Sequence, residues 1–260
     1  MSGPGNPAAS RLKQDEGSAV NRERVKHYSH AAALSEALAI PRYLQETYWW
    51  AYVHPNAVRL FERQWLVNAI LWGNFARLRD SALDAMGETL KGASLQVACV
   101  YGDLTTRLAD RRASGATLDV VDVLPVQLHN LRRKLGSRSG VTLLQRNSAA
   151  LGLADGCYDQ VLLFFLLHEQ PEAVRRETLA EAMRVTRPGG RIVIVDYHRP
   201  HRLHPLRYLF PPVLARLEPY ALDLWREDLA TWLPRDIPLT IQSEKTFYGG
   251  LYQQQTLVRA

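Results

Sequence analysis

Residues 95–104 read "LQVACVYGDL", an apolar run that breaks at Gly102, the segment's one glycine, just before a helical pattern. In an α/β domain whose strands are buried on both faces, such a run is a strand, and the break after it is a turn that faces a ligand. Whether this reading holds depends on the segments downstream repeating the same alternation. Strands are predicted at 94–100, 117–123, 141–145, 158–166 and 190–197, with helical patterns at about 103–112, 125–135 and 171–187 between them. "VLLFFLL" (161–167) and "RIVIVDY" (191–197) are continuous runs, as strands covered on both sides require. Two final strand-like runs, at about 239–247 and 250–258, meet at "YGGLY" (248–252), where a Gly-Gly corner suits a hairpin. The pattern implies right-handed crossovers and a doubly wound, seven-stranded, mainly parallel sheet, a Rossmann-like α/β class.

The 260-residue chain is long enough for one substantial core with additions. Residues 1–30, rich in Gly, Pro, Ser and mixed charge, are expected to form a mobile tail. Residues 31–88 form an N-terminal helical cap with a heavy aromatic load that includes Tyr43, Tyr48, Trp49, Trp50, Tyr52, Phe61, Trp65, Trp72 and Phe75, divided at Pro55. Residues 89–260 make the α/β domain, interrupted after the fifth strand by a partly helical insertion at about 198–234. A net charge of +6 and a pI near 9.4 favour an anionic partner, nucleic acid or an acidic membrane surface. Cys99 and Cys157 have no zinc or CxxC spacing, so reduced thiols in a cytoplasmic protein are expected. The N-terminus lacks the apolar core of a secretory signal. No uncharged apolar run reaches the ~18 residues of a membrane-crossing helix, which leaves attachment to a membrane surface open.

A doubly wound sheet binds its ligand outside the carboxyl ends of its strands. Those ends carry Val100 to Asp103, Asp122, Asn147 with Ser148, His168 with Glu169, and Asp196 to His198. Asp122 lies about 20 residues beyond the first turn, where a carboxylate accepts hydrogen bonds from ribose hydroxyls. The same side chain would also cap the helix that follows. Asn147 and Ser148 suit either an adenine edge or an ordinary turn.

With this order of elements, the chain from about Leu90 onward resembles the class I S-adenosylmethionine (SAM)-dependent methyltransferase fold. The "RPGG" stretch at Arg187 to Gly190 and the closing hairpin strengthen the likeness. That family usually places an acidic residue and three glycines in the first loop. Here Gln96 takes the acidic place, Ala98 and Val100 replace two glycines, and Gly102 keeps the third. The resemblance implies cofactor contacts from Gln96, Ala98, Cys99, Val100, Tyr101, Gly102, Asp122, Val123, Asn147 and Ser148. Val100, being β-branched, would narrow the floor of the site, and Tyr101 would add a phenol beside the ligand.

Longer stretches are more specific. "YWWAYVHPNAVRLFERQWLVNAILWGN" (48–74), "LQVACVYGDLTTRLA" (95–109), "VVDVLPVQLHNLRRKL" (120–135), "VLLFFLLHEQPEAVRR" (161–176), "RPGGRIVIVDYHRPHRLHPLRYL" (187–209) and "YGGLYQ" (248–253) occur in the order seen in the RquA family of rhodoquinone biosynthesis proteins, which the chain resembles. That likeness implies conversion of ubiquinone to rhodoquinone, with a ring methoxy group replaced by an amino group. It further implies SAM as the nitrogen donor and a divalent metal, manganese by preference. On this reading, the missing acid at Gln96 helps keep the donor amine neutral, because a nearby anion favours the charged form.

His168, Glu169, Asp196 and His198 are the candidate manganese ligands, and mixed imidazole and carboxylate donors suit that ion. The alternative is that the first two cap a helix and the others form a buried pair. Tyr101, His168 and Asp196 are the candidate catalytic groups. The aromatic helices would accept an isoprenoid tail or simply pack on the sheet. Arg199, Arg202 and Arg207, with Tyr208 and Phe210, suit anionic headgroups at the cytoplasmic face of the inner membrane, and no nucleic-acid partner is expected. Two other readings stay open, an ordinary quinone or small-molecule methyltransferase and a non-catalytic quinone-binding scaffold.

Overall fold

A computed structural model describes residues 40–48 and 61–260. The expected tail, and Trp49, Trp50, Tyr52 and Pro55 of the expected cap, lie outside the described residues. Helices α1 (Arg42–Thr47), α2 (Gln64–Ile70) and α3 (Phe75–Met86) precede the sheet. Then follow β1 (Ala93–Val97), α4 (Leu104–Asp110), β2 (Thr117–Asp122), α5 (Pro125–Leu135), β3 (Val141–Gln145), β4 (Tyr158–Phe164), α6 (Glu172–Val185) and β5 (Thr186–Tyr197). The insertion supplies the short helices α7 (Leu206–Leu209), α8 (Pro211–Leu217) and α9 (Asp223–Arg226), before β6 (Leu239–Phe247) and β7 (Tyr252–Arg259). No described helix is long and apolar enough to cross a membrane.

The seven strands are ordered β3-β2-β1-β4-β5-β7-β6, parallel except where β7 pairs antiparallel with β5 and β6. The expected sheet is therefore the observed one. Its order reverses between β1 and β4, which opens a crevice at their carboxyl ends. Leu95, Val97, Val161, Leu163, Ile192 and Ile194 are buried on one face of the three central strands, and Gln96, Leu162, Val193 and Val195 on the other. That burial on both faces is why these strands read as unbroken apolar runs.

Three boundaries differ from the sequence pattern for local reasons. β1 ends at Val97 because Ala98 turns to φ +72° and leaves the ladder. "RPGG" is a bulge inside β5, since the register against β4 jumps from Tyr158↔Thr186 to Gln160↔Arg191. A Cβ on Gly190 would lie 2.6 Å from Thr186 Cγ2 and 2.8 Å from the Arg187 carbonyl, so only glycine fits there. β7 starts at Tyr252 because Tyr248, Gly249 and Gly250 all have positive φ.

The first loop keeps a glycine-type backbone without the glycine. Left-handed geometry costs an L-residue roughly 1–2 kcal/mol, partly offset by glycine's greater freedom in the unfolded chain. Ala98→Gly is therefore expected to stabilise the fold by about 0.5–1 kcal/mol in urea denaturation. Gly102→Ala should destabilise it by roughly 1–3 kcal/mol, because its Cβ would sit 2.6 Å from the Phe75 ring at φ +80°. Equal midpoints for both variants would refute this account of the loop.

Candidate active site

A cavity of ≈ 600 Å³ opens at the carboxyl ends of β1, β2, β4 and β5. One part is polar, with Cys99, Asp122, Asn147, Ser148, His168 and Glu169 in its wall. Another is apolar, walled by Val67 and Trp72 near the N-terminal helices, Phe164 and Phe165 at β4, and Phe210 and Leu214 from the insertion. Phe165 holds φ +53° at the end of β4, a strained backbone of the kind found beside ligand sites.

The polar wall starts from the first two strands. Asp122 is buried, with Oδ2 accepting the Cys99 N–H and Oδ1 accepting the Leu124 N–H, each at 2.8 Å. Burial raises its pKa to about 6 in spite of those hydrogen bonds. Val123 also lines the cavity, and its carbonyl accepts the Gln145 amide. Asn147 Oδ1 accepts the Ala149 N–H at 3.0 Å, so the turn role left open for it is realised at the cavity wall. Ser148 Oγ is bonded to Thr178 Oγ1 at 2.9 Å and accepts from Gln170 Nε2 at 3.0 Å. Tyr101 accepts from Gln127 Nε2 at 2.8 Å and stacks on Phe61, while burial pushes its phenol pKa up.

Around this loop, the Asp103 and Glu62 carboxylates are each paired with a cation. Arg79 donates to both oxygens of Asp103 at 2.7 and 3.0 Å, and Arg107 Nε donates at 2.6 Å. Burial works against the ionised form there, but Arg107 and Arg79 hold the Asp103 carboxyl below its usual range. Glu62 reaches in just before α2, accepting the Gly102 N–H at 3.1 Å and Asn130 Nδ2 at 2.6 Å, with Lys134 Nζ also 2.6 Å away. Gln96 turns its amide inward, donating to the Ala98 carbonyl at 2.9 Å.

The second charged group lies at the β4 and β5 ends. His168 Nδ1 donates to Asp196 Oδ1 at 2.9 Å, and Asp196 also accepts the Leu167 and Tyr197 N–H groups at 2.8 Å. Glu169 and Glu218 stand 3.8 and 3.7 Å from His168 Nε2. Burial opposes the imidazolium, yet Asp196 foremost, then Glu218 and Glu169, lifts its pKa to about 9. His168 is thus a buried cation at neutral pH. Burial pushes the Glu218 carboxyl up.

A family profile described as "Methyltransferase domain" matches residues 95–190. The demethylmenaquinone methyltransferase of Beutenbergia cavernae is 32% identical over 179 residues, covering 64% of this chain and 70% of that protein. The chain belongs to the SAM-dependent methyltransferase family. A second demethylmenaquinone methyltransferase, from Thermus thermophilus, is 33% identical over 52% of this chain and 61% of the relative. The chain spans 58–63% of the length of several such curated relatives. Among solved structures, the N-methyltransferase NodS from Bradyrhizobium japonicum WM9 with S-adenosyl-L-homocysteine is similar in fold, with a TM-score of 0.54 and 13% identity. That match covers 88% of this chain and 97% of NodS.

The polar wall of this methyltransferase-family member fits SAM. Asp122 accepts backbone N–H groups on both of its oxygens, and the acceptor capacity that an ionised carboxylate keeps beyond them suits ribose hydroxyls. When bound, SAM supplies a sulfonium carbon and an α-amine as reactive groups. Ala98, Cys99, Val100, Tyr101, Val123, Asn147 and Ser148 line the cavity with Asp122. Gln96 and Gly102 do not: the first is bonded to its own loop, and the second packs under Phe75.

The expected manganese set does not fit. His168 turns Nδ1 to Asp196, Asp196 is occupied by three hydrogen donors, and His198 Nδ1 faces the Gly250 carbonyl at 2.8 Å. Among the described residues, no group of three or more His, Cys, Asp or Glu side chains is arranged to hold a metal. Asp196 pairs with His168 and not with His198, so the alternative of a buried Asp196–His198 pair does not hold either. The sequence reading missed Glu62 and Glu218, because each reaches its partner across some 40 residues or more of chain. It also missed Arg175, fully buried, which donates to the Leu167 and Tyr220 carbonyls and stacks on Trp232, fastening the insertion beside His168.

Proposed function

We propose that this protein uses SAM to replace a ring methoxy group of ubiquinone by an amino group, forming rhodoquinone at a membrane surface. The carrying observation is the first loop, where Gln96 stands in the acidic place and turns into its own loop, while Asp103 and Glu62 are bound by cations. An amine beside such a wall keeps its proton less tightly than one beside an unpaired carboxylate. A neutral amine is the nucleophile that amination needs. It would add to the ring carbon bearing the methoxy group, and methoxide would leave with a proton. The nitrogen, still joined to the SAM Cα, would then be freed by a proton shift from Cα to the ring and hydrolysis of the resulting quinol imine by water, giving the amino quinol and a 2-oxo acid. The adjacent imidazolium of His168 would donate to the quinone oxygen as negative charge develops there. Asp196 fixes the orientation of that ring, and the apolar wall suits a quinone with its isoprenoid tail.

A second reading is methylation of a quinone or another small molecule. The names of the Beutenbergia and Thermus relatives favour it. One assay separates the readings: purified protein, nitrogen-labelled SAM and a short-chain ubiquinone, followed by mass spectrometry of the quinone. Label in a product of lower mass supports amination, and an unlabelled product of higher mass supports methylation. No consumption of SAM leaves a binding scaffold. Running the assay with and without manganese reads the metal dependence that the RquA likeness implies and that the His168 group does not support. Within this reading, Gln96→Asp with Val100→Gly is expected to slow amination by about tenfold, because a restored anion stabilises the ammonium form. An unchanged rate would remove the loop as the determinant.

A further inference from the structure

Nine large apolar side chains are exposed among the described residues, and all but Ile241 fall within 65–72 or 203–217. These two stretches meet, because Trp72 and Phe210 contact edge to face at 5.8 Å between centroids. Ile70, Trp72, Val213 and Leu217 are each exposed yet also line the main cavity, so the exposed patch is continuous with the cavity wall and surrounds its mouth. Leu203 is 97% exposed and Leu209 70%. Concentration of apolar surface in one place marks an interaction site, whereas scattered single residues would not.

Charge accompanies this collar. Between 198 and 217 the chain carries Arg199, Arg202, Arg207 and Arg216 and no Asp or Glu. A second cavity, of ≈ 350 Å³, is lined by Arg199, Arg202, Arg207 and Arg226, with Glu227 and Asp228 as the only carboxylates in its wall. Four cations against two anions leave it net positive. Phe210 lines the main cavity and Trp225 the second, and their rings lie 6.4 Å apart, so the two openings adjoin. The segment is held in shape, with Arg207 donating to the Pro200 carbonyl and the Tyr208 hydroxyl to the Arg202 carbonyl.

We propose that this face docks on an anionic phospholipid bilayer, the apolar collar entering the headgroup–acyl boundary while the arginine cavity takes a lipid phosphate. A bilayer offers both parts at once, an apolar layer beneath a plane of negative charge. Nucleic acid would match the arginines but leave Leu203 and Leu209 in water. The collar at the cavity mouth gives a lipid-tailed molecule a path in without crossing water. That purpose rests on the quinone reading, and the docking surface itself does not.

The test is flotation of the full chain with vesicles of phosphatidylcholine alone or mixed with phosphatidylglycerol. The wild type is expected to float with the mixed vesicles and to be released by high salt. Leu203→Ser with Leu209→Ser should weaken binding to mixed vesicles by about tenfold or more. Arg199→Gln with Arg202→Gln should remove the preference for the anionic lipid to a similar degree. None of these four side chains lines the main cavity. SAM titration should therefore give the wild-type affinity in both variants and show that they fold. A wild type that floats with neither vesicle, or variants that float like it, overturns the proposal. Dimers that fall apart in the Leu203→Ser, Leu209→Ser variant without any vesicle binding would assign the collar to a second copy and overturn it too. Flotation as expected beside failed quinone assays would sink the quinone reading and leave the docking surface standing.

Discussion

Replacing His168 by glutamine is expected to lower turnover on the quinone by about 10²–10⁴-fold, the range associated with losing a positioned proton donor. SAM affinity should change little, since the proposed binding mode places the nucleoside against Asp122 and the first loop rather than His168. Glutamine keeps an amide donor near the Nε2 position but cannot carry the positive charge that Asp196 stabilises. The pH profile separates this role from a packing role. With a pKa of about 9, His168 stays protonated through neutral pH, so wild-type turnover should hold up to about that pH and fall above it. In the variant, that alkaline limb should vanish.

The same charge has a stability consequence whose sign is fixed. The folded pKa of about 9 lies above the unfolded value of about 6.5, so folding favours the protonated form. Its contribution is fully present below about pH 6.5 and is lost as pH rises through about 9. Urea midpoints of the wild type should therefore drop between neutral and alkaline pH by more than those of His168→Gln. Parallel drops in the two proteins, together with an unchanged alkaline limb of activity, would remove the imidazolium from the account. Removing it strips a buried carboxylate of its countercharge, and about 3–5 kcal/mol is the usual cost of such a break. Asp196 would still accept the Leu167 and Tyr197 N–H groups, which limits the damage.

What the chain discloses about itself divides along the range of its interactions. The strands of the sheet were readable because burial on both faces imposes a local pattern, as in Val161 to Phe164. Asp122 was readable because its distance from the first turn is fixed by one strand-helix-strand unit. Ala98 reads as a small substitution, and only the backbone reveals that it adopts a conformation suited to glycine. The ligand-like quartet of His168, Glu169, Asp196 and His198 has suitable atom types, but tertiary placement decides what they do. Asp196 converts His168 into a cation, and His198 turns to the Gly250 carbonyl. Glu218 completes the group from an irregular stretch with no pattern to mark it. Similarly, Glu62 closes on Gly102 from 40 residues upstream, a distance over which neither helical nor strand periodicity carries information.

Asp122→Ala is expected to weaken SAM binding by about 10²-fold in calorimetric titration. Two hydrogen bonds from ribose to a carboxylate are worth about 1.5 kcal/mol or more each, although removing the backbone contacts of Asp122 takes away part of the loop's order as well. Asp122→Asn tests the acceptors more narrowly. An amide can accept from either the Cys99 or the Leu124 N–H but must confront the other with its own NH₂, so this variant should also bind poorly. The wild type carries a built-in control. Burial raises the Asp122 pKa to about 6, so in the free protein its protonated form is favoured by the fold. That contribution to stability is complete below the unfolded value of about 3.9 and is lost as pH rises through about 6. Ribose prefers the ionised form, so SAM affinity should rise over the same interval in which this stability contribution declines. Binding near pH 6 should accordingly release a fraction of a proton, read as a dependence of the binding heat on the buffer's ionisation enthalpy. An affinity flat across this pH range, with Asp122→Ala within about threefold of wild type, would mean that the ribose lies elsewhere and that Asp122 serves only to hold the Cys99 and Leu124 amides.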